Sequence, residues 1–245
     1  MPASALLLGA RIASLNLCTD EYLLLLARPQ EVASVSFLAQ DPLESSLWRT
    51  ARRHHSNRGS IEGVLGRRPD VLLTMGGGGK ATRLLAGRLR LRTVELVSPA
   101  SFADVAVNLQ LVAAALGEPD TARPWLARLR RLQQTRPAMA KDAMWLSEGG
   151  QTIGPGSIGA QWLRLAGLEQ RGDGRPTLET LLVRPPTVMV KSRYRSAQVS
   201  NGRRWLTHPL VRRAKAQRIS TDGRPWTCMG PLMIAEIERL RAAAR

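Results

Sequence analysis

Glu62-Gly-Val-Leu-Gly-Arg-Arg-Pro-Asp-Val-Leu-Leu73 returns 117 residues later as Glu179-Thr-Leu-Leu-Val-Arg-Pro-Pro-Thr-Val-Met-Val190. Glu, Arg, Pro and the apolar run hold their register. In each copy the acid opens a short amphipathic helix, the proline falls where that helix must stop, and an apolar run of strand length follows directly. The pairing predicts two equivalent α/β units derived from an internal duplication.

Outward from the first copy, strands are expected at residues 11–15, 31–36, 70–74 and 93–97, alternating with helical patterns, the first over residues 21–27 with Thr19 or Asp20 as its cap. Residues 48–55, Trp-Arg-Thr-Ala-Arg-Arg-His-His, read as helical or irregular. Ser101 caps a helix that carries Phe102, Val105, Leu109, Val112 and Leu116 at helical spacing and stops at Gly117. Residues 121–135 form a further helix, roughly 22 Å long at 1.5 Å per residue, suited to a rigid strut. The alternation then restarts with a strand at 143–147, a helix at 159–166 closed by Gly167, the second motif copy, a strand at 217–221 and a terminal helix at 232–244. His208-Pro209 reads as a helix start. The expected class is α/β, two Rossmann-like lobes with mostly parallel sheets joined by one long helix. Its divisions are residues 1–118, a connecting helix 119–137, and residues 138–245.

At 245 residues the chain buries enough surface to fold without metals or disulfides. Thirty-six Lys and Arg against nineteen Asp and Glu give a net charge of +17, enough to attract anionic partners. Most of the excess is arginine spread along helical faces, with no long basic run and no aromatic-rich basic ribbon, so a nucleic-acid partner is not expected. Residues 1–10 end in Ala-Leu-Leu-Leu-Gly-Ala, similar to the tail of a secretory signal but without its basic start. Periplasmic location is expected if that start has been trimmed, cytoplasmic if it is correct. No run approaches the 18 or so apolar residues that cross a bilayer.

In open α/β sheets ligands collect beyond the carboxyl ends of the strands. The segments there hold Cys18, Lys80, Lys191, Arg193, Tyr194, Trp226 and Cys228, with Trp48 and its neighbours Arg49, Arg52 and Arg53 close by. Aromatic walls with fixed cations suit a large, flat or anionic ligand held in a cleft between lobes. Gly76 to Gly79 followed by Lys80 invites a phosphate-loop reading, but Ala81-Thr82 follows where the lysine of a P-loop is followed at once by Ser or Thr. The adjacent His54 and His55 cannot share one metal in helix or strand geometry, so no metal site is assigned. Bridged, Cys18 and Cys228 would close a loop of about 210 residues and stabilise the fold by roughly 5 kcal/mol in the chain-entropy model. The alternative is two small thiols in a reducing compartment. No Ser/His/Asp set, Cys/His pair or carboxylate pair is spaced for catalysis, so no catalytic residue is assigned.

The order of the motifs resembles one family. Residues 11–20 (Arg-Ile-Ala-Ser-Leu-Asn-Leu-Cys-Thr-Asp), 57–65 with 68–73, 113–117 (Ala-Ala-Ala-Leu-Gly), Gly154-Pro-Gly156 with Leu165-Ala-Gly167, and 226–231 (Trp-Thr-Cys-Met-Gly-Pro) together look like the periplasmic substrate-binding proteins of ABC importers. The importers in question carry ferric siderophores, heme or cobalamin, and their receptors have a single helical strut between lobes. The resemblance implies a non-catalytic, monomeric receptor without an intrinsic cofactor, holding an iron or cobalt chelate and delivering it to permease subunits. Glu62 and Glu179 match the family's surface acids that meet arginines of the permease. Tyr194 matches the residue type of a heme ligand, and the Arg/Lys set suits a carboxylate-bearing ferric chelate. Departures are the missing full signal and the Gly76–Gly79 run, which is atypical of the ligand loop. The rival classes are a two-lobed α/β enzyme with a cysteine-lined or metal-cluster cleft, and a basic nucleic-acid binder.

Overall fold

The structure is a computed structural model that describes residues 9–76, 80–148, 151–172, 178–195 and 207–245. The chain divides into two compact units, residues 1–127 and 128–245.

The first unit is a parallel sheet of β1 (Ile12–Ser14), β2 (Val32–Ser36), β3 (Ser56–Asn57), β4 (Val71–Met75) and β5 (Arg92–Leu96), in the order β3-β2-β1-β4-β5. Between strands run α1 (Leu17–Leu26), α2 (Trp48–Ala51), α3 (Glu62–Leu65) and α4 (Lys80–Arg88), and α5 (Phe102–Leu116) follows the last strand. Helix α1 starts earlier than the sequence reading placed it, and its cap is Asn16 rather than Thr19 or Asp20. The Asn16 Oδ1 accepts the N–H groups of Cys18 and Thr19 at 3.1 and 3.0 Å, and Thr19 Oγ1 accepts the Asn16 N–H in return. Two reciprocal bonds outweigh a single cap three or four residues further on. Ser101 caps α5 as expected, and Gly117 ends it in the left-handed conformation, φ 75°. Tyr22 and Leu23 of α1 and Val105, Leu109 and Val112 of α5 are fully buried, each large apolar side chain stabilising the unit by about 2 kcal/mol. A further cluster joins Ala13, Ala33 and Leu72 of the strands to Ile61, Val64 and Ala86.

Helix α6 (Arg123–Gln134) crosses from the first unit into the second, the division falling between Ala127 and Arg128. The second unit is a parallel sheet of β6 (Lys141–Leu146), β7 (Leu168–Gln170), β8 (Val188–Ser192) and β9 (Gln217–Thr221), ordered β7-β6-β8-β9. Its helices are α7 (Ile158–Leu165), α8 (Leu178–Val183), α9 (Pro209–Arg213), α10 (Pro225–Cys228) and α11 (Leu232–Ala243) among the described residues. His208-Pro209 does open a helix, as its sequence suggests. Arg241 of α11 donates to the carbonyls of Leu132 and Leu165 and to the Thr135 hydroxyl, at 3.0, 2.8 and 2.8 Å. It thereby satisfies acceptors left over at the ends of α6 and α7.

The duplication is visible in three dimensions. With β3 set aside, the two sheets have the same strand order, and β4 lies beside β1 as β8 lies beside β6. Both copies of the motif begin their strand at the same register, Val71 and Val188. Val64 and Leu181 are equivalent positions, as are Leu72 and Met189, and all four sit in the hydrophobic cluster of their own unit.

Candidate functional site

Strand order reverses between β1 and β4 in the first unit and between β6 and β8 in the second, and a crevice opens at the carboxyl ends of such a pair. In the first unit this edge is built on a buried polar network. Asn57 donates to the Ser14 carbonyl at 2.8 Å and to Ser34 Oγ at 3.0 Å. It also accepts the Gly59 N–H at 2.8 Å. Gly59, at φ 80°, packs so closely that a Cβ there would lie 2.8 Å from the Leu15 carbonyl oxygen. Asp20 is 1% exposed and accepts the Ser36 N–H at 3.0 Å together with the Ser36 hydroxyl. Burial raises its carboxyl to about 7, against hydrogen bonds from Ser14 and Ser36 that lower it.

Beyond β2 a 3-10 turn, Phe37–Gln40, leads towards α2. Gln40 donates to the carbonyls of Ala51 and His54, fixing the end of α2 against this turn. Trp48 is half-buried, with the guanidinium carbons of Arg49 and Arg52 lying 4.4 and 4.6 Å from its ring centroid. Two cations held on one ring make a preformed positive site with an aromatic floor. His54 is pushed below its ordinary pKa by burial and by Arg53, so it is neutral at pH 7. His55 Nδ1 meets Arg67 at 2.9 Å. Beyond β4, Gly76 turns at φ 75°. Residues 77–79, the rest of the glycine run, lie outside the described residues, and Lys80 is the first residue of α4.

In the second unit Lys191, near the end of β8, lies 3.5 Å from Glu148 just beyond β6, with 45% of the lysine side chain exposed. Arg193 and Tyr194 follow, the Arg193 N–H donating to the Thr221 carbonyl at 2.9 Å, and the Arg195 guanidinium lies 5.5 Å from the Tyr194 ring. A cavity of about 510 Å³ adjoins Lys191, lined by Leu146, Met189, Val211 and Ile219 with Arg212. Trp226 corrects the sequence reading. It is 5% exposed, its ring centroid is 5.2 Å from that of Trp145, and its indole N–H donates to Thr221 Oγ1 at 2.8 Å. Thr221 in turn donates to Glu236 Oε1 at 2.5 Å. Helix α10 turns the indole back onto the sheet, so Trp226 is core and no ligand wall. Cys18 and Cys228 are both disulfide-bonded, and no cysteine is free. Neither therefore offers a thiolate to a ligand.

Glu62 and Glu179 occupy equivalent exposed positions in the first turns of α3 and α8. Sequence reading missed Gly223, where a Cβ would collide with Ser192 Oγ and with Tyr194 Cβ and N. It also missed the Glu236–Thr221 link behind it. Asp222-Gly223 between a strand and a proline is a turn signal, but the close approach to Tyr194 is a tertiary fact. Among the described residues no cluster of His, Cys, Asp and Glu could hold a metal ion, and no helix is long and apolar enough to cross a membrane.

No family model matches the chain, and no curated protein sequence matches it. Solved structures do. The periplasmic heme-binding protein HutB of Vibrio cholerae is 16% identical at a TM-score of 0.75, covering 96% of this chain and 99% of that one. The periplasmic heme-binding protein RhuT from Roseiflexus sp. RS-1 in apo form is 18% identical at 0.70, covering 96% and 97%. The periplasmic vitamin B12-binding protein BtuF of Vibrio cholerae is 18% identical at 0.61, covering 96% of each chain. The chain has the fold of these periplasmic binding proteins.

Proposed function

We propose that this protein is the substrate-binding receptor of an ABC importer, taking up one iron or cobalt chelate and delivering it to membrane permease subunits. The observation that carries the reading is the pairing of fixed cations with aromatic or apolar surface at the carboxyl strand ends of each unit. In the first unit it is Trp48 under Arg49 and Arg52. In the second it is Lys191 beside the cavity of about 510 Å³, with Arg193 and Tyr194 on the next turn. Such surfaces suit a large ligand with an apolar face and peripheral carboxylates, the chemistry of a heme or a carboxylate-bearing ferric chelate. Tyr194 is the candidate phenolate for an iron centre. Lys80 joins the ligand set through its place at the start of α4. Glu62 and Glu179 are the candidate docking acids for arginines of the permease. The bonded state of both cysteines supports an oxidising compartment, and with it the periplasm.

The test is calorimetric titration of heme and of ferric citrate into the wild type, Arg49→Gln/Arg52→Gln and Lys191→Gln. Loss of a charge-assisted contact to a carboxylate predicts about tenfold weaker binding in each variant. Unchanged affinity in both variants overturns the site.

A further inference from the structure

Helices α1 and α5 lie side by side on the first unit, joined by the Asn108 side chain, which donates to the Tyr22 hydroxyl at 3.3 Å. Together they make a face without exposed charge. The two acids of α1, Asp20 and Glu21, are both buried, and what α1 shows to solvent includes parts of Leu24 and Leu25. Helix α5 has one charged residue in fifteen, Asp104, whose carboxylate is drawn back to accept the Ala100 and Ser101 N–H groups at 3.0 and 2.8 Å. Its exposed positions are Ala103, Val107, Gln110, Leu111 and Ala114, with Val107 44% and Leu111 37% exposed. A helix that faces water ordinarily carries charge on that side. This chain has 36 Lys and Arg and places none of them here.

The pattern on α5 is its own complement. Ala103, Val107, Gln110 and Ala114 follow one another at intervals of four, three and four residues, the spacing of a coiled-coil seam. Turned end for end, the same seam sets Ala103 of one helix against Ala114 of the other, and Val107 against Gln110. Both Gln110 amides then flank the two-fold axis, where a single polar side chain fixes register. Charge selects the occupant. At a net charge of +17 two copies repel wherever arginines meet, and this face removes that repulsion from the contact. We propose that the α1/α5 face is the contact of a weak symmetric homodimer, with the two α5 helices antiparallel across the axis. Its size sets the strength: a helix of roughly 22 Å beside a neighbour about 10 Å away offers on the order of 400 Å² per copy, against about 800 Å² in a standard interface. The docking acid Glu62 stays clear of it. Helices α3 and α4 belong to a different layer, in which Ile61, Val64 and Ala86 pack with Ala13, Ala33 and Leu72 in a cluster that holds no residue of α1 or α5. The dimer does not depend on the receptor reading.

The experiment is analytical ultracentrifugation of the full chain over a concentration series, at low and at raised salt. Gln110→Lys and Val107→Lys, which set like charges beside the axis, are compared with Leu84→Lys, which adds the same charge at an exposed position of α4. The wild type is expected to dimerise with a Kd of about 10 to 100 μM, more tightly as salt screens the repulsion between two cationic chains. Each seam variant should weaken the dimer tenfold or more, while Leu84→Lys leaves it unchanged. Four results overturn the proposal: a wild type monomeric at every concentration, a dimer that both seam variants leave intact, a dimer that weakens with salt, or a monomer that sediments with phosphatidylcholine vesicles through Val107 and Gln110. Chelate titration of the same preparations keeps the two readings apart. A monomer that binds chelate refutes the dimer alone, and a dimer that binds none refutes the receptor alone.

Discussion

Asp20→Asn is predicted to remove a specific part of the pH dependence of stability. Asp20 lies inside the first unit with its carboxyl raised by burial from 3.8 to about 7. The folded value is above the unfolded one, so between these limits the native state keeps a proton that the unfolded chain has released. Stability from this group is therefore complete below pH 3.8, declines as pH rises towards about 7, and is level above that. Across that window, at about 1.4 kcal/mol per pH unit, the ceiling is about 4 kcal/mol. Asparagine keeps an acceptor for the Ser36 N–H and does not titrate. Urea unfolding of the two proteins from about pH 4 to 8 should show the wild type losing stability relative to Asp20→Asn as pH rises. Asp104, lowered by the Ala100 N–H and by Ser101, and Glu169, lowered by Arg164, act in the opposite sense at lower pH and cancel in the difference. Parallel curves, or a wild type that gains on the variant with rising pH, would refute the reasoning.

Gly59→Ala places a Cβ 2.8 Å from the Leu15 carbonyl at φ 80° and should cost about 2 kcal/mol or more by urea unfolding; a cost within measurement error would show that the loop shifts freely. Gly223→Ala drives a methyl into Ser192 and Tyr194, and should weaken chelate binding about tenfold by displacing the Tyr194 turn, with unchanged Kd as the contrary result. Thiol titration of denatured protein should detect no thiol before reduction and two after; two reactive thiols at the outset would contradict the bonded state.

The repeated motif was legible because its signals are local and redundant. Proline stops each short helix, and the buried positions Val64/Leu181 and Leu72/Met189 are apolar in both copies. Parallel strands such as Val71–Met75 and Val188–Ser192 announce themselves as continuous apolar runs. Strands β3 and β7 escaped because Ser-Asn and Leu-Glu-Gln carry no such run; their place comes from the neighbours they pair with. The cap of α1 was misplaced because Asn16, Thr19 and Asp20 all favour caps, and only the tertiary fold draws Asp20 away to Ser36. Lys191 lies near the end of β8, where chain order suffices to place it, whereas Trp48 opens α2 and its stacking with Arg49 and Arg52 is a local helix contact. The orientation of Trp226 follows instead from contacts with Trp145 and Thr221, far apart or differently directed along the chain, which no local pattern reports.

The central claim is tested most directly by tryptophan-fluorescence titration of the purified protein with heme, cobalamin, ferric citrate and ferric hydroxamates, corrected for ligand absorbance. Trp48, with two guanidinium groups on its ring, gives the first unit a reporter at the proposed site. The account predicts saturable one-to-one binding of one chelate at micromolar strength or tighter, weakened in Arg49→Gln/Arg52→Gln. Flat curves for all four ligands would contradict it.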